Sequence, residues 1–411
     1  MIKMRIKYSV IITAFVTMGV MSSCKEKEKK AETTEPSATT TIVDSTDKWS
    51  VRLANSIMHR NEKAYQIDHR TVPKWDYVHG VVMLGFEKLY EKTNDQKYYD
   101  YVKGYADTLI NAEGAIATYD IEKYNIDMIN AGKILFKLYN DTQDTKYKVA
   151  MDSLRLQIAD QPRTKSGGLW HKKRYPNQMW LDGLYMGAPF YANYTVSFEE
   201  GKALDDIAHQ FELIQKNARD EKTGLLYHAW DESKAMEWAD DKTGTSPNFW
   251  SRALGWYAMA LVDVLDYFPE DHPARPELIT YLNQLATAVV KVQDESGLWY
   301  QVTDMGDREG NYLEASGSTM LTYALAKGVN KGYLPEHFMK NAELGFKGLT
   351  EELIKVDKDG LITITQVCAV AGLGGKPYRD GSYEYYINER KKDNDPKATG
   401  PFILAALELD K

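Results

Sequence analysis

The stretch Ser296-Gly297-Leu298-Trp299-Tyr300 carries a short signature that recurs along this chain and predicts its fold. Similar stretches occur at Glu113-Gly114-Ala115, Gly167-Gly168-Leu169-Trp170-His171, Thr223-Gly224-Leu225-Leu226-Tyr227-His228 and Asp359-Gly360-Leu361. The spacings between Gly114, Gly168, Gly224, Gly297 and Gly360 are 54, 56, 73 and 63 residues. Each interval has room for a helix, a turn, a second helix and a loop. The recurrence therefore predicts stacked helical hairpins.

The segments between these signatures show the apolar spacing of helices. One predicted helix face carries Tyr257, Leu261, Val264, Leu265 and Phe268. Alternating β-type runs are scarce, so a large sheet is not expected. The 363 residues from 49 to 411 make six hairpins at about 60 residues each, which is enough to close a ring. We predict an all-α fold, an (α/α)6 barrel, and leave an open solenoid and a set of unrelated turns as alternatives.

The first 48 residues have a different composition. Basic residues precede an uncharged run from Ser9 to Val20, which is too short to span a bilayer, and Cys24 follows two serines. This pattern resembles the leader of a bacterial lipoprotein, so we predict a signal peptide at 1–23 and a lipid anchor at Cys24. An ordinary thiol in a cleaved leader is the alternative. Residues 24–48 are polar and predict a flexible tether ahead of a catalytic domain at 49–411. The protein is expected to be exported and membrane-anchored, in the periplasm or at the cell surface.

Composition and charge exclude several function classes. The 51 basic residues face 59 acidic ones, for a net charge of −8, which becomes about −11 once residues 1–23 are removed. No basic block could follow a phosphate backbone, so we expect no nucleic-acid partner. Phosphate-binding, dinucleotide-binding and zinc motifs are absent from the sequence, and we predict no metal and no cofactor. The 48 aromatic residues, many beside polar ones, favour a sugar ligand.

One candidate acid, Asp182, lies between Trp180 and Gly183 just before an apolar helical stretch. An aspartate in this position could simply cap the helix. The neighbouring Trp170, Trp180 and Tyr185 would instead desolvate the carboxyl and raise its pKa, as a proton donor requires.

The second candidate acid, Asp127, precedes Asp182 by 55 residues, which is one repeat. In a closed ring the two carboxylates could face each other at one mouth, and their repulsion would raise one pKa toward neutrality. Two repeated helix caps would have the same spacing, so counting alone does not decide between these interpretations.

The segment from Tyr227 to Tyr257 combines tryptophans with His228 and Arg252. The guanidinium offers a planar fork for a carboxylate or for sugar hydroxyls, and tryptophan faces stack on pyranose rings. A structural role for His228 is equally compatible with the sequence, and Trp238 is expected to serve packing.

At these residues the chain resembles the unsaturated rhamnogalacturonyl hydrolases of glycoside hydrolase family 105, which are related to the family 88 unsaturated glucuronyl hydrolases. The resemblance runs from about Trp49 to the C-terminus and is strongest at 179–186, 238–240 and 246–257. It implies an (α/α)6 barrel that releases a terminal 4,5-unsaturated uronic acid from oligosaccharides left by polysaccharide lyases. It further implies Asp182 as the general acid and Asp127 as the second essential acid. The implied ligand-contacting residues are Tyr77, Lys172, Trp180, His228, Trp250, Arg252 and Trp256.

Two other functions compete with this hypothesis. A conventional inverting glycosidase on the same barrel would use two carboxylates about 6.5–9.5 Å apart as acid and base and would cleave saturated sugars. A glycan-binding lipoprotein would capture sugar without cleaving it. Paired acids framed by tryptophan favour catalysis, because a binding protein has less need of a proton donor in a dry site.

Overall fold

Amphipathic segments with polar caps form the helices of residues 43–411, the part of the chain that this computed structural model describes. The α-helices are α1 (Trp49–Arg60), α2 (Tyr77–Thr93), α3 (Gln96–Leu109), α4 (Leu135–Thr142), α5 (Thr145–Asp160), α6 (Leu181–Phe198), α7 (Leu204–Ala218), α8 (Ser251–Val264), α9 (Arg275–Lys291), α10 (Ala315–Asn330), α11 (Met339–Gly348), α12 (Tyr383–Asn388) and α13 (Pro396–Glu408). Asp76, Asp95 and Asp144 cap α2, α3 and α5 by accepting a hydrogen bond from a backbone N–H of the first turn.

Six inner segments close into a ring. They are α2, the 3₁₀ segment Ile126–Ile134 with α4, α6, α8, α10 and α13, and each packs against the next, with α13 returning to α2. The outer helices α3, α5, α7, α9, α11 and α1 each pack on one inner partner. This arrangement confirms the predicted all-α (α/α)6 barrel and removes the open solenoid.

Glycine at two contacts lets neighbouring inner segments approach closely. A Cβ built on Gly80 of α2 would lie 2.6 Å from Ala131 Cα, and one built on Gly400 of α13 would lie 2.8 Å from Val81 O. Real Cβ atoms essentially never approach other heavy atoms this closely. The inner ring therefore closes over backbone contacts that larger residues would push apart.

The recurring glycine signature marks the turn after the outer helices α3, α5, α7 and α9, whereas its last copy, at Gly360, lies in the turn of a short strand hairpin beyond α11. Gly224 (φ 79°) follows α7, and Gly297 (φ 89°) follows α9, both in the left-handed region that favours glycine. In the second signature the left-handed residue is Gly167 rather than Gly168. After these four helices the signature has one structural cause, a tight turn that returns the chain from the outer ring to the inner ring.

Strands contribute little to residues 43–411. They form three antiparallel pairs: β1 (Gln178–Trp180) with β2 (Ala229–Asp231), β3 (Ile354–Val356) with β4 (Ile362–Ile364), and β5 (Val367–Cys368) with β6 (Lys391–Lys392). The β1–β2 pair matters most for function because it joins the loop before α6 to the loop that follows α7.

The predicted signal peptide at 1–23, the anchor at Cys24 and most of the tether lie outside the described residues. The end of the tether is described, and there Val43 is 3% exposed. Its carbonyl lies beside Gly360. This short apolar stretch therefore contacts the barrel, because valine gains from burial where its polar neighbours do not. No helix in the range 43–411 is long and apolar enough to cross a membrane.

Candidate active site

The candidate residues lie where the inner segments begin. Tyr77 is the first residue of α2, Asp127 the second of Ile126–Ile134, Asp182 the second of α6 and Arg252 the second of α8. The inner segments run in one direction around the ring, so these starts share one mouth. Helix N-termini carry a partial positive charge, which favours anionic groups at this mouth.

Asp182 is largely buried, with 16% of its side chain exposed. Pairing of Trp180 with Ala229 in β1 and β2 brings the adjacent His228 beside α6, where the His228 carbonyl accepts a hydrogen bond from Leu181 N. His228 Nε2 lies 3.3 Å from Asp182 Oδ2. Neither atom has a well-aligned hydrogen-bond partner among the described residues. The carboxyl is therefore enclosed but free to engage another group.

The pKa of Asp182 lies below its ordinary value, which corrects the prediction of a raised pKa. Burial alone would raise the pKa, as expected from the surrounding aromatic residues. The nearby His228, His171 and Arg252 outweigh burial because they favour the charged carboxylate. The sequence showed the aromatic setting but not how many cationic groups the fold would place around it.

Asp127 is buried in an ion-pair cluster. Lys172 Nζ contacts its Oδ2, and His171 Nε2 lies 3.2 Å from its Oδ1. A backbone bridge between Asn125 and Lys172 holds the two segments together. Burial opposes the charge of Asp127, but Lys172 and His171 hold its pKa well below the usual range. The expectation that Asp127 raises the pKa of Asp182 by repulsion is therefore wrong: the Lys172 ammonium offsets the charge of Asp127, and the pKa of Asp182 is set by burial, His228, His171 and Arg252.

His171 is a site residue that sequence reasoning missed. Its ring lies flat on Trp180 with centroids 4.9 Å apart. While Nε2 faces Asp127, Nδ1 lies so near α6 that a Cβ on Gly183 would be 2.8 Å from it. His171 thus touches both acid-bearing segments at once. The available signal was its place in the second glycine signature, directly before Lys172.

His228 is fully buried in a cluster with a second missed residue, Tyr386. Its Nδ1 lies 2.8 Å from the Tyr386 hydroxyl, and its ring centroid lies 4.7 Å from that of Trp250. The Trp250 indole donates a hydrogen bond to Gln301. These contacts fix the orientation of His228, so that Nε2 is directed toward Asp182. Tyr386 lies 158 residues after His228 in the sequence, and no local sequence pattern indicated that it would contact this histidine.

Arg252 is 2% exposed and is held by a buried polar network. Its Nη1 donates to Ser316 Oγ at 3.1 Å and to the Cys368 carbonyl, while its Nε has no partner within residues 43–411. Glu314, another missed residue, accepts hydrogen bonds from Ser316 Oγ and from the Cys368 backbone N–H. The guanidinium also lies over the Trp250 ring at 4.5 Å. This network orients the planar fork.

The remaining candidates frame the site from within the barrel. The Trp256 ring stacks on Tyr185 with centroids 4.8 Å apart, one helical turn below Arg252. Burial, with Asp127 nearby, raises the pKa of Tyr77 well above its ordinary value. Trp180, Trp250 and Trp256 are all buried, so each packs on the site's own side chains. Direct contact of these residues with a sugar stays a prediction. Across residues 43–411 no group of three His, Cys, Asp or Glu side chains is placed to hold a metal.

Comparisons with known proteins agree with this architecture. The family model for Glycosyl Hydrolase Family 88 matches residues 49–411. A solved family 105 glycoside hydrolase of C. acetobutylicum is 50% identical, with a TM-score of 0.85, over 89% of this chain and 99% of that one. The unsaturated rhamnogalacturonyl hydrolase YesR of Bacillus subtilis is 26% identical over 329 residues, which are 79% of this chain and 87% of that protein. Protein Atu3128 of Agrobacterium fabrum is 36% identical over 229 residues, 54% of this chain and 97% of that protein.

The family model extends over residues 49–411 and so includes both acid-bearing segments. These matches confirm the resemblance inferred from the motifs around Asp182 and Arg252, and they confirm an enzyme of the glycoside hydrolase type. The chain therefore belongs to glycosyl hydrolase family 88 and is similar, at 50% identity, to a solved family 105 enzyme.

Proposed function

We propose that this glycoside hydrolase releases a terminal 4,5-unsaturated uronic acid from oligosaccharides produced by polysaccharide lyases. The observation that carries the proposal is the unequal state of the two acids. Asp127 is fully engaged by Lys172 and His171, whereas Asp182 has a carboxylate oxygen without a hydrogen-bond partner among the described residues. One available acid suits hydration of a double bond, which needs a single proton donor. The name of YesR supports the same substrate class.

In this proposal Asp182 donates a proton to C4 of the C4=C5 double bond, and positive charge develops at C5 and the ring oxygen. Water adds to C5 and returns a proton to the Asp182 carboxylate. The resulting hemiketal opens to a ketone at C5. The hemiacetal left at C1 then breaks down to an aldehyde and releases the aglycone as its free alcohol. The net change is the addition of one water molecule.

Protonation of Asp182 must accompany substrate binding, because its pKa lies below the ordinary value in the ligand-free protein. We propose that the substrate carboxylate raises this pKa by like-charge repulsion and by engaging Arg252, which otherwise favours the charged form of Asp182. Arg252 would pair with the carboxylate, and Lys172 with Asp127 would hold sugar hydroxyls. These roles follow from position and from chemistry at the shared mouth.

The decisive experiment incubates the protein with lyase-generated oligosaccharides and follows the ultraviolet absorbance of the conjugated double bond. Loss of absorbance together with release of a shortened sugar supports the proposal. Cleavage of the saturated counterparts at a similar rate would indicate an inverting glycosidase instead. Binding without any cleavage would indicate a glycan-binding protein. Asp182→Asn is the matched inactive control.

We also propose that the protein is an exported lipoprotein anchored through Cys24, so that its only membrane contact is the lipid. The support is the sequence pattern of residues 1–30, which lies outside the described structure. Metabolic labelling with a fatty acid tests it: wild-type protein should carry the label and fractionate with membranes. Cys24→Ala should lose both properties while keeping hydrolase activity. Unchanged membrane association of Cys24→Ala would reject the anchor.

A further inference from the structure

A cavity of about 630 Å³ lies at the opposite end of the barrel from Asp182. It is lined by the C-terminal halves of the inner helices, from Glu87 of α2 to Lys327 of α10 and Glu408 of α13. Asn193 of α6 also lines it, eleven residues after Asp182, or about 16 Å along the helix axis. The stacked rings of Trp256 and Tyr185 lie within the barrel between Arg252 and this end. The cavity is therefore separate from the candidate active site.

The lining of this cavity is balanced in charge. Six lysines and six carboxylates line it, together with the aromatic side chains of Phe136, Tyr267 and Tyr323. A ligand with a net charge would gain from one set and be opposed by the other. Hydroxyl groups suit such a lining because each can donate to a carboxylate and accept from an ammonium. Aromatic walls beside mixed polar groups are suited to sugar rings.

Lys133, at 9% exposed, is a buried lysine of the cavity lining with spare hydrogen-bonding capacity. Pro189 lacks an N–H, so it cannot pair with the Tyr185 carbonyl in α6, and Lys133 Nζ donates to that carbonyl at 2.9 Å instead. The ammonium also lies over the Tyr185 ring at 3.4 Å. Among the described residues no carboxylate lies within ion-pair distance of Lys133, and an ammonium has three donors. Its structural role therefore uses only part of what it offers.

Glu87, on the same lining, also lacks full pairing. It is 7% exposed, and its Oε2 has no hydrogen-bond partner in residues 43–411. Burial raises the pKa of Glu87 to about 7 and lowers that of Lys133 to about 7. Such displaced values in a cavity are more frequent at binding sites than in ordinary packing. Lysines near helix C-termini offset the helix dipoles, which explains why several lysines line this end of the barrel. The same effect does not explain the burial of Lys133, which precedes α4, or the burial of Glu87.

We propose that this far cavity is a second binding site, for a neutral, hydroxyl-rich ligand of mono- to disaccharide size. Its volume falls within the range of about 300–1,000 Å³ that small-molecule sites occupy. Lys133 supplies a donor at its buried side, and the aromatic residues supply flat walls. The site does not depend on the hydrolytic function proposed for the other mouth.

Saturation-transfer NMR with methyl α-L-rhamnopyranoside as the neutral probe and D-galacturonate as the anionic probe tests the proposal. Lys133→Met and Asn140→Trp, the second an exposed residue of the cavity rim, should each weaken binding of the neutral probe about tenfold or more. Both should keep wild-type hydrolysis. Lys103→Met on α3, which loses only a surface ion pair, is the matched control and should bind normally.

Arg252→Ala separates the two ends of the barrel. Binding that persists in this variant but is lost in Asn140→Trp supports the far site, and a normal melting temperature shows that Asn140→Trp is folded. Binding lost in Arg252→Ala but retained in Lys133→Met would place the sugar at the catalytic mouth and overturn the proposal. Absence of binding by wild-type protein would mean that the cavity holds only water. Tighter binding of galacturonate than of the rhamnoside by Arg252→Ala, whose catalytic mouth lacks the carboxylate partner, would overturn the assigned ligand class.

Discussion

Replacement of Gly183 by alanine tests whether the position of His171 controls the reaction. A Cβ on Gly183 would lie 2.8 Å from His171 Nδ1, whereas ordinary contacts begin at 3.4 Å. The imidazole must therefore move by about 0.6 Å. Its Nε2 lies 3.2 Å from Asp127 Oδ1 and its face stacks on Trp180, so the movement disturbs both contacts.

The expected effect is a loss of rate with little loss of stability. A misplacement of about 1 Å in a catalytic site can cost about 100-fold in rate, so a shift of this size should lower kcat/KM about tenfold. Alanine is favoured over glycine inside a helix by about 1 kcal/mol, and this gain opposes the local strain. The assay combines initial rates on an unsaturated disaccharide, read as loss of ultraviolet absorbance, with thermal unfolding.

Gly104 of α3 supplies the matched control, because a Cβ there meets nothing within 4 Å. Gly104→Ala should keep full activity and gain up to about 1 kcal/mol in the free energy of unfolding. Wild-type kcat/KM in Gly183→Ala would refute the role given to His171. A large fall in melting temperature of Gly183→Ala would attribute its lost rate to unfolding rather than to a displaced imidazole.

Four further tests probe the catalytic mouth. Asp182→Asn should lower kcat at least about 100-fold with an unchanged melting temperature, because the amide cannot donate the proton, and a variant that keeps a tenth of the rate would assign the acid elsewhere. The depressed pKa of Asp127 means that its pairing with Lys172 stabilises the fold at neutral pH, and that this stabilisation is lost as the pH falls below about 4. The difference in free energy of unfolding between wild type and Lys172→Met should therefore shrink on acidification. A difference that stays constant with pH would contradict the pairing. Arg252→Ala should lose more activity than Arg252→Lys, yet lysine should not restore the wild-type rate, because it lacks the planar fork; full rescue by lysine would make Arg252 a structural residue. Raising salt from about 0.05 to 0.5 M should change kcat/KM only modestly, and a steep dependence would indicate long-range steering.

The ring of hairpins could be predicted from sequence because the repeat length can be measured from the spacing of local turns. A left-handed glycine follows the outer helices α3, α5, α7 and α9 within seven residues, so its spacing reports the length of a hairpin. Asp127 and Asp182 were found for the same reason, since each stands at the start of an inner segment one repeat from the other. Structural features that depend on residues close together in sequence can be predicted without knowledge of the fold.

The residues that surround the two acids could not be predicted from the sequence, because many of them come from segments that are distant along the chain. Tyr386 reaches His228 across 158 residues, and the Cys368 carbonyl reaches Arg252 across 116. The direction of the pKa shift of Asp182 depends on how burial is balanced by His228, His171 and Arg252, and a single sequence gives no distances for that balance. The aromatic residues near Asp182 in sequence therefore suggested a raised pKa, whereas the cationic groups that the fold adds lower it.

The common direction of the inner helices explains how an acidic protein can receive an anionic substrate. Every inner segment presents its N-terminus to the mouth that holds Asp182, so partial positive charges from several helices add there to Arg252, Lys172 and His171. The same alignment places the C-termini at the far end, where Lys327 lies in the last turn of α10 and Lys331 directly follows that helix. The net charge of −8 is spread over the whole chain, whereas attraction at the mouth acts within a Debye length of about 10 Å. The proposed uronate substrate would therefore respond to the local positive potential at this mouth rather than to the overall negative charge of the protein.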